Sequence, residues 1–238
     1  MIYGIASYHR PECRTIKTLL DAGVAKTDIV VAVQDEQDFI VYKQKHPDIN
    51  IIFREADSAS GNRNTLLSAI NERPVCLLDD DVSSFCVFTK DGRFLVNTPM
   101  ALKTLLEVAD IAKANNCPIA GVAPTANGIV ARSRPEVNVD VLLQGTVIIM
   151  LSPDLRFDER FKMVEDYEIA LRVICAGKHT LRYNYIAASK PKNGTNKGGL
   201  HDRYASGQLP LWLERLHKCY PIFHVNKAKT GGDIKWQK

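Results

Sequence analysis

The apolar run Pro74-Val75-Cys76-Leu77-Leu78 passes directly into Asp79-Asp80-Asp81. A short, continuous apolar run predicts a strand buried on both faces. Three adjacent carboxylates at its end repel one another and call for positive charge nearby. In an open parallel sheet, ligands bind beyond the carboxyl ends of the strands. The cluster is therefore a candidate cation site, and its hard oxygen donors suit Mg²⁺ or Mn²⁺ bound with a diphosphate. Strand alternation puts Asp79 and Asp81 on one side and Asp80 on the other, an Asp-x-Asp pair with a third Asp between. The plain alternative is an acidic turn or helix cap.

The rest of the chain supplies the sheet that such a site needs. Strands are expected at Ile2–Ser7, Asp28–Val33, Ile49–Phe53 and Pro74–Leu78. Helical spacing between them predicts helices over Glu12–Ala22, Phe39–Lys45 and Asn64–Asn71. Strands recurring with helices between them imply parallel βαβ units. Further on, Phe85–Phe88 and Arg93–Asn97 flank Lys90-Asp91-Gly92, a hairpin signal. Met100–Ala114, Glu165–Ala176 and Leu209–Cys219 read as helices, and Ile119–Ala123, Val141–Leu151 and His179–Ile186 as strands. Ser189–Gly199 is polar and rich in Gly, Lys and Asn, hence a loop. The expected fold is α/β: one Rossmann-like domain over residues 1–238, with a mostly parallel central sheet flanked by helices and a small antiparallel element. Its expected stretches are residues 1–98, which contain the acidic cluster, 99–188, and a basic C-terminal loop and helix over 189–238.

Three further motifs carry chemistry. Glu165-Asp166 opens an amphipathic helix within Glu165-Asp166-Tyr167-Glu168-Ile169-Ala170-Leu171-Arg172. Acidic residues also favour helix N-termini for dipole reasons alone, so the pair gains weight only beside the aspartate cluster. Gly61-Asn62-Arg63-Asn64 reads as a loop before a helix, with Arg63 able to reach a phosphate or the aspartates. In Gly198-Gly199-Leu200-His201, glycines let backbone N–H groups approach a diphosphate, and His201 is a candidate metal ligand.

Charge and cysteine usage narrow the setting. The net charge is only +4, but residues 178–238 hold 12 Lys and Arg against 3 Asp and Glu, leaving −5 for the rest. A basic C-terminal quarter points to phosphate, in a nucleotide or a nucleic acid backbone. The six cysteines include no Cys-x-x-Cys pair and mostly sit in apolar runs, as expected of reduced core thiols in a cytoplasmic protein. No stretch has membrane-spanning length; Val141–Leu151 is broken by Gln144-Gly145-Thr146. Met1-Ile2-Tyr3-Gly4-Ile5 runs straight into a strand, so no secretory signal is expected.

Taken together, these residues resemble the GT-A glycosyltransferase superfamily over most of the chain. The shared pattern is a nucleotide-binding half ending in Asp79 to Asp81, a sugar-facing turn at Gln144-Gly145-Thr146, and the family-2-like acidic pair Glu165-Asp166. Arg63-Asn64 is similar to the Arg-Asn element that precedes the metal strand, and Ser7-Tyr8-His9-Arg10-Pro11 to the nucleotide-binding turn. Gln34-Asp35-Glu36 stands in place of the usual Asp-Asp-Gly-Ser. The Gly-rich Arg loop of nucleotidyltransferases is absent. More narrowly, the compact length and basic, glycine-punctuated C-terminal region resemble the TET-associated, phage-type glycosyltransferases, thought to modify hydroxymethylated pyrimidines in DNA.

The resemblance implies one divalent ion, Mn²⁺ or Mg²⁺, held by Asp81, Asp79 and His201, and a nucleotide-sugar co-substrate, UDP-linked in the expected case. Ser7, Arg10, Gln34, Arg63, Asp79, Asp80, Gln144, Gly145, Gly198 and Gly199 are the expected nucleotide-sugar contacts. Asp166 is the expected catalytic base, with Glu165 orienting it or holding a sugar hydroxyl. For a DNA acceptor bearing 5-hydroxymethylcytosine, Lys190, Lys192, Lys197, Arg203, Lys227, Lys229 and Lys235 would meet phosphates, while Tyr204, Trp212 or Trp236 would stack on a base. Core packing is the expected role of Trp212. Rival readings are transfer to a surface polysaccharide, lipid or protein, a metal-dependent nuclease using Asp79, Asp81, Glu165 and Asp166, and a non-catalytic nucleotide-binding module.

Overall fold

The computed structural model describes residues 1–191, 205–226 and 231–234. Its N-terminal half alternates β1 (Ile2–Ala6), α1 (Arg14–Asp21), β2 (Ile29–Val33), α2 (Glu36–Lys45), β3 (Asn50–Phe53), α3 (Ala59–Ala69) and β4 (Val75–Asp79). A hairpin of β5 (Ser84–Phe88) and β6 (Phe94–Val96) leads into the long α4 (Thr98–Ala114) and β7 (Ile119–Ala123). Then come α5 (Gly128–Arg132), β8 (Val137–Val139), β9 (Val147–Met150), α6 (Glu165–Cys175) and β10 (Thr180–Ser189). The chain continues with α7 (Leu209–Cys219), β11 (Phe223–Asn226) and β12 (Gly231–Ile234).

One mixed sheet carries the order β3-β2-β1-β4-β9-β7-β10-β5-β6, with β8 also pairing β10; β11 and β12 form a separate hairpin. Pairing is parallel from β3 across to β4 and again between β7 and β10. β9 lies antiparallel between β4 and β7. Reversing one central strand keeps β4, β7 and β10 pointing the same way, so their carboxyl ends open on one edge.

Both faces of the sheet are covered. Ile5, Val31, Cys76 and Leu78 face α1, α2 and α4, whereas Val30, Ala32, Val75 and Leu77 face α3 and α6. Leu77 and Leu78 are fully buried on opposite faces, and full burial of such a side chain stabilises by about 1.5–3 kcal/mol. A third cluster joins Phe161 and Leu171 to Leu213, Leu216 and Phe223, docking α7 and β11 onto α6. Trp212 packs at its margin, with its ring 6.3 Å from that of Phe161, in line with the core role expected of it. Among the described residues, no helix is long and apolar enough to cross a membrane.

Two sequence expectations need correction. Gly61 to Asn64 are not a loop: α3 starts at Ala59, because the Ser58 hydroxyl caps it by accepting the Gly61 N–H. The polar residues that read as loop are instead the buried first turns of the helix. Asn64 mimics a strand partner, donating to the Phe157 carbonyl and accepting its N–H, at 2.9 and 2.8 Å. Second, the strand expected over Val141–Leu151 is confined to Val147–Met150. The backbone of Gly145 is taken up by side chains rather than by a neighbouring strand, with its N–H on Asp166 and its carbonyl on Arg63.

Candidate active site

The alternation expected of all three aspartates stops at Asp79, the last residue of β4, which continues the Val75, Leu77 face toward α3. Asp80 and Asp81 follow in the turn, and both lie against Arg10 rather than on opposite sides. On the α3 side stands Arg63, buried to 3% exposure. Its Nη2 donates to Asp79 Oδ1 at 3.0 Å and to the Gly145 carbonyl at 2.9 Å, while Nη1 donates to Glu165 Oε1 at 2.5 Å. One guanidinium thus ties β4, the turn before β9 and the start of α6 into a single unit. Breaking such a buried charge pair from one side costs about 3–5 kcal/mol, because the partner is left buried and uncompensated.

On the α1 side, Asp80 accepts from Ser7 Oγ at 2.5 Å and from Arg10 Nη1 at 2.7 Å; the same Nη1 lies 3.3 Å from Asp81 Oδ2. Tyr42 supports both ends of the turn after β1, its hydroxyl 2.5 Å from Ser7 Oγ and accepting the Arg10 N–H. Thr15, at the start of α1, fixes the aspartate turn itself: Oγ1 donates to the Asp79 carbonyl and accepts the Val82 N–H.

The acidic pair of α6 approaches the same point. Val164, immediately before it, has φ 58°, a left-handed conformation costly for a β-branched residue and typical of functional turns. Asp166 Oδ2 accepts the Gly145 N–H at 2.8 Å, and Oδ1 the Tyr167 N–H at 2.8 Å. Beside the cluster, Ala123, Pro124, Gln144, Thr146, Ala188 and Lys190 line a cleft at the carboxyl ends of β7 and β10.

Lys190 corrects a second kind of expectation. It does not stand on an open surface to meet acceptor phosphates; its Nζ donates to Asp79 Oδ2 at 2.7 Å. β10 runs three residues further than its expected end at Ile186, to Ser189, and delivers Lys190 to the cluster.

Electrostatics follow from this packing. Burial alone raises Asp79, but Lys190 and Arg63 outweigh it and hold the carboxyl down at about 2. Burial lifts Asp80 to about 6 against the pull of Arg10 and Ser7. Glu165 and Asp166 are also raised, by burial first; Arg63 opposes this for both, and Asp79 adds repulsion to each. The reason is visible in the charges. Asp79, Asp80, Asp81, Glu165 and Asp166 crowd together, with Arg10, Arg63 and Lys190 bonded among them. The carboxylates are hard oxygen donors, the chemistry that suits a divalent ion such as Mg²⁺ or Mn²⁺.

The structure therefore gathers Ser7, Arg10, Arg63, Asp79, Asp80, Asp81, Gly145, Glu165 and Asp166 around one cluster, with Gln144 on the adjoining cleft. Gln34 follows the end of β2, and its carbonyl accepts the Ala56 N–H. Lys192, Lys197, Gly198, Gly199, His201, Arg203, Tyr204, Lys227, Lys229, Lys235 and Trp236 lie outside the described residues. Thr15 and Tyr42 escape a sequence reading. Each is an ordinary-looking helix residue whose importance arises from contacts 64 and 35 positions away.

A second grouping was not anticipated either. His9, Asp35 and Asp38 bring their ligand-type atoms within 4.8 Å of one another. Asp38 accepts the His9 N–H at 2.6 Å and faces its ring at 3.3 Å, which pins the turn after β1 to α2.

Residues 5–199 match the family model described as TET-Associated Glycosyltransferase. The chain belongs to the TET-associated glycosyltransferase family. No curated protein sequence matches it. Among solved structures, this family member is similar to the mannosyltransferase PcManGT from Pyrobaculum calidifontis, solved in complex with GDP-Man and Mn²⁺. The TM-score is 0.57 at 11% identity, covering 91% of this chain and 64% of that one, so the chain spans under two thirds of that protein's length. It is also similar to CMP:2-keto-3-deoxy-manno-octonic acid synthetase complexed with CTP, with TM-score 0.50 and 13% identity over 90% of this chain and 98% of that chain. At such identities the likeness speaks for the fold alone. The family match carries the assignment to the glycosyltransferases.

Proposed function

We propose that this glycosyltransferase moves a sugar from a nucleotide-sugar, UDP-linked in the leading case, to 5-hydroxymethylcytosine in phage DNA, using one divalent ion. The observation that carries the site is Arg63, which joins Asp79 to Glu165 and so unites two acidic motifs 86 positions apart. Asp79 and Asp81 would hold Mn²⁺ or Mg²⁺, with His201 as the further ligand that the family resemblance implies. When bound, the ion supplies neutralisation of charge on the leaving diphosphate.

The chain's own residues do the rest. Arg10 presents a guanidinium beside Asp80 and Asp81, and it positions the diphosphate end of the donor. The cleft at Gln144 and Thr146 takes the sugar. Asp166 is aimed by the Gly145 N–H and accepts the proton of the attacking hydroxyl; its raised pKa makes it a stronger base than an exposed aspartate. Glu165 is held by Arg63 and acts through it, keeping the start of α6 against β4.

DNA as acceptor is supported by the basic 178–238 segment and by the family description. Lys192, Lys197 and Arg203 are the proposed phosphate contacts and Tyr204 the proposed stacking residue. Each phosphate contact removed should lower the salt slope of DNA binding by roughly one unit. A surface polysaccharide, lipid or protein acceptor is the alternative within the same class. The test is transfer from a panel of nucleotide-sugars, with Mn²⁺, onto plain and hydroxymethylated duplexes. Labelling restricted to hydroxymethylated DNA and abolished by EDTA is expected. Equal labelling of both duplexes, or transfer unaffected by EDTA, would sink the proposal, and scission of plain DNA would point to the nuclease.

A further inference from the structure

Asp79 has two carboxylate oxygens with different neighbours. Oδ1 accepts from Arg63, which is locked in place by Glu165 and the Gly145 carbonyl. Oδ2 accepts from Lys190 Nζ at 2.7 Å. Arg63 is almost completely buried, whereas the Lys190 side chain is 23% exposed and sits where β10 ends, beside the open cleft. The ammonium is also drawn by Asp81 and repelled by Arg63. It thus holds the oxygen of Asp79 that Arg63 leaves open, on the cleft side of the carboxylate, where an entering cation would bind. A long flexible ammonium can leave such a place, while a guanidinium fixed by three acceptors cannot.

We propose that Lys190 is a displaceable stand-in for the divalent ion, occupying its place on Asp79 in the nucleotide-free protein and passing to the donor diphosphate when the ion enters. The inference rests on the metal reading given above and adds an order of events to it. Ion and ammonium compete for one carboxylate oxygen, so the ion alone binds weakly. A diphosphate brings the negative charge that the displaced ammonium needs, so ion and nucleotide bind cooperatively. Lys190 is then a positioning residue in the empty site and a diphosphate contact in the filled one.

The experiment follows free Mn²⁺ by electron paramagnetic resonance during titration into the full chain, with and without UDP. Lys190→Met removes the ammonium, and Lys190→Gln keeps a hydrogen-bond donor for Asp79 should the methionine variant fold poorly. Without UDP, the variants should bind Mn²⁺ about tenfold tighter than the wild type, and the enhancement of Mn²⁺ binding by UDP should shrink by a similar factor. A wild-type readout needs no variant: acetylation of Lys190 by acetic anhydride, followed by mass spectrometry, should speed up several-fold on adding saturating Mn²⁺. Equal Mn²⁺ affinity in wild type and folded variants, or unchanged Lys190 acetylation, would overturn the role of Lys190 while leaving the metal site standing. Absence of Mn²⁺ binding to every protein, with UDP present, would overturn the metal site and the inference together.

Discussion

Asp166→Asn should lower turnover by about a hundred- to ten-thousandfold, the range over which a positioned general base contributes. Asparagine keeps one acceptor oxygen for the Gly145 N–H, so the link from α6 to the turn before β9 stays, while the second bond, from the Tyr167 N–H, is given up. What disappears is the capacity to take a proton. The loss should therefore fall on kcat, with the donor still stabilising the variant in a thermal-shift assay as it does the wild type. Wild-type turnover in Asp166→Asn would remove Asp166 from the base role. Loss of donor binding with kcat preserved would move it to the donor side of the site.

The second large effect is expected at a residue with no side chain. A Cβ on Gly145 would lie 2.7 Å from Arg63 Nη2 and 3.0 Å from Nη1. Arg63 has little freedom to retreat, being buried and bonded to Asp79, Glu165 and Gly145 itself. Gly145→Ala should displace the guanidinium and with it the relation between the two acidic motifs. Misplacement of catalytic groups by about 1 Å commonly costs a hundredfold in rate, and that loss is expected here. Overpacking of this kind costs about 1–3 kcal/mol, which for a chain of this size lowers Tm by roughly 2–12 °C. The checks are kcat/KM and a melting curve. Normal activity in Gly145→Ala would show that Arg63 does not set the geometry of the site.

Much of this was legible in the sequence, for identifiable reasons. The strand ending at Asp79 is apolar and flanked by βαβ units, so its place in the sheet and the direction of Asp79 follow from period-two alternation, whereas Asp80 and Asp81 lie in the turn beyond it, where alternation no longer holds. The Leu209–Cys219 helix and the Ile119–Ala123 strand have sharp periodicity and sharp ends, and they were found at their expected bounds. What failed were places where tertiary bonds replace local ones. Gly61 to Asn64 look like loop because small polar residues favour turns, yet Ser58 caps a helix in which the Asn62 and Asn64 amides find partners across the fold. Val141 to Thr146 look like strand, yet Gly145 gives its backbone to Arg63 and Asp166. Lys190 looked like part of a basic surface because charge along a sequence does not reveal which lysine a strand will carry inward. The Arg63 bridge could be guessed as a contact to the aspartates, but its hold on Glu165 depends on packing alone.

The metal position is tested most directly by anomalous diffraction from crystals soaked with Mn²⁺ and UDP. A manganese peak between the carboxylates of Asp79 and Asp81, beside the diphosphate and with Lys190 moved off Asp79, is the predicted result. A peak confined to His9, Asp35 and Asp38, whose ligand-type atoms lie within 4.8 Å of one another, would contradict it.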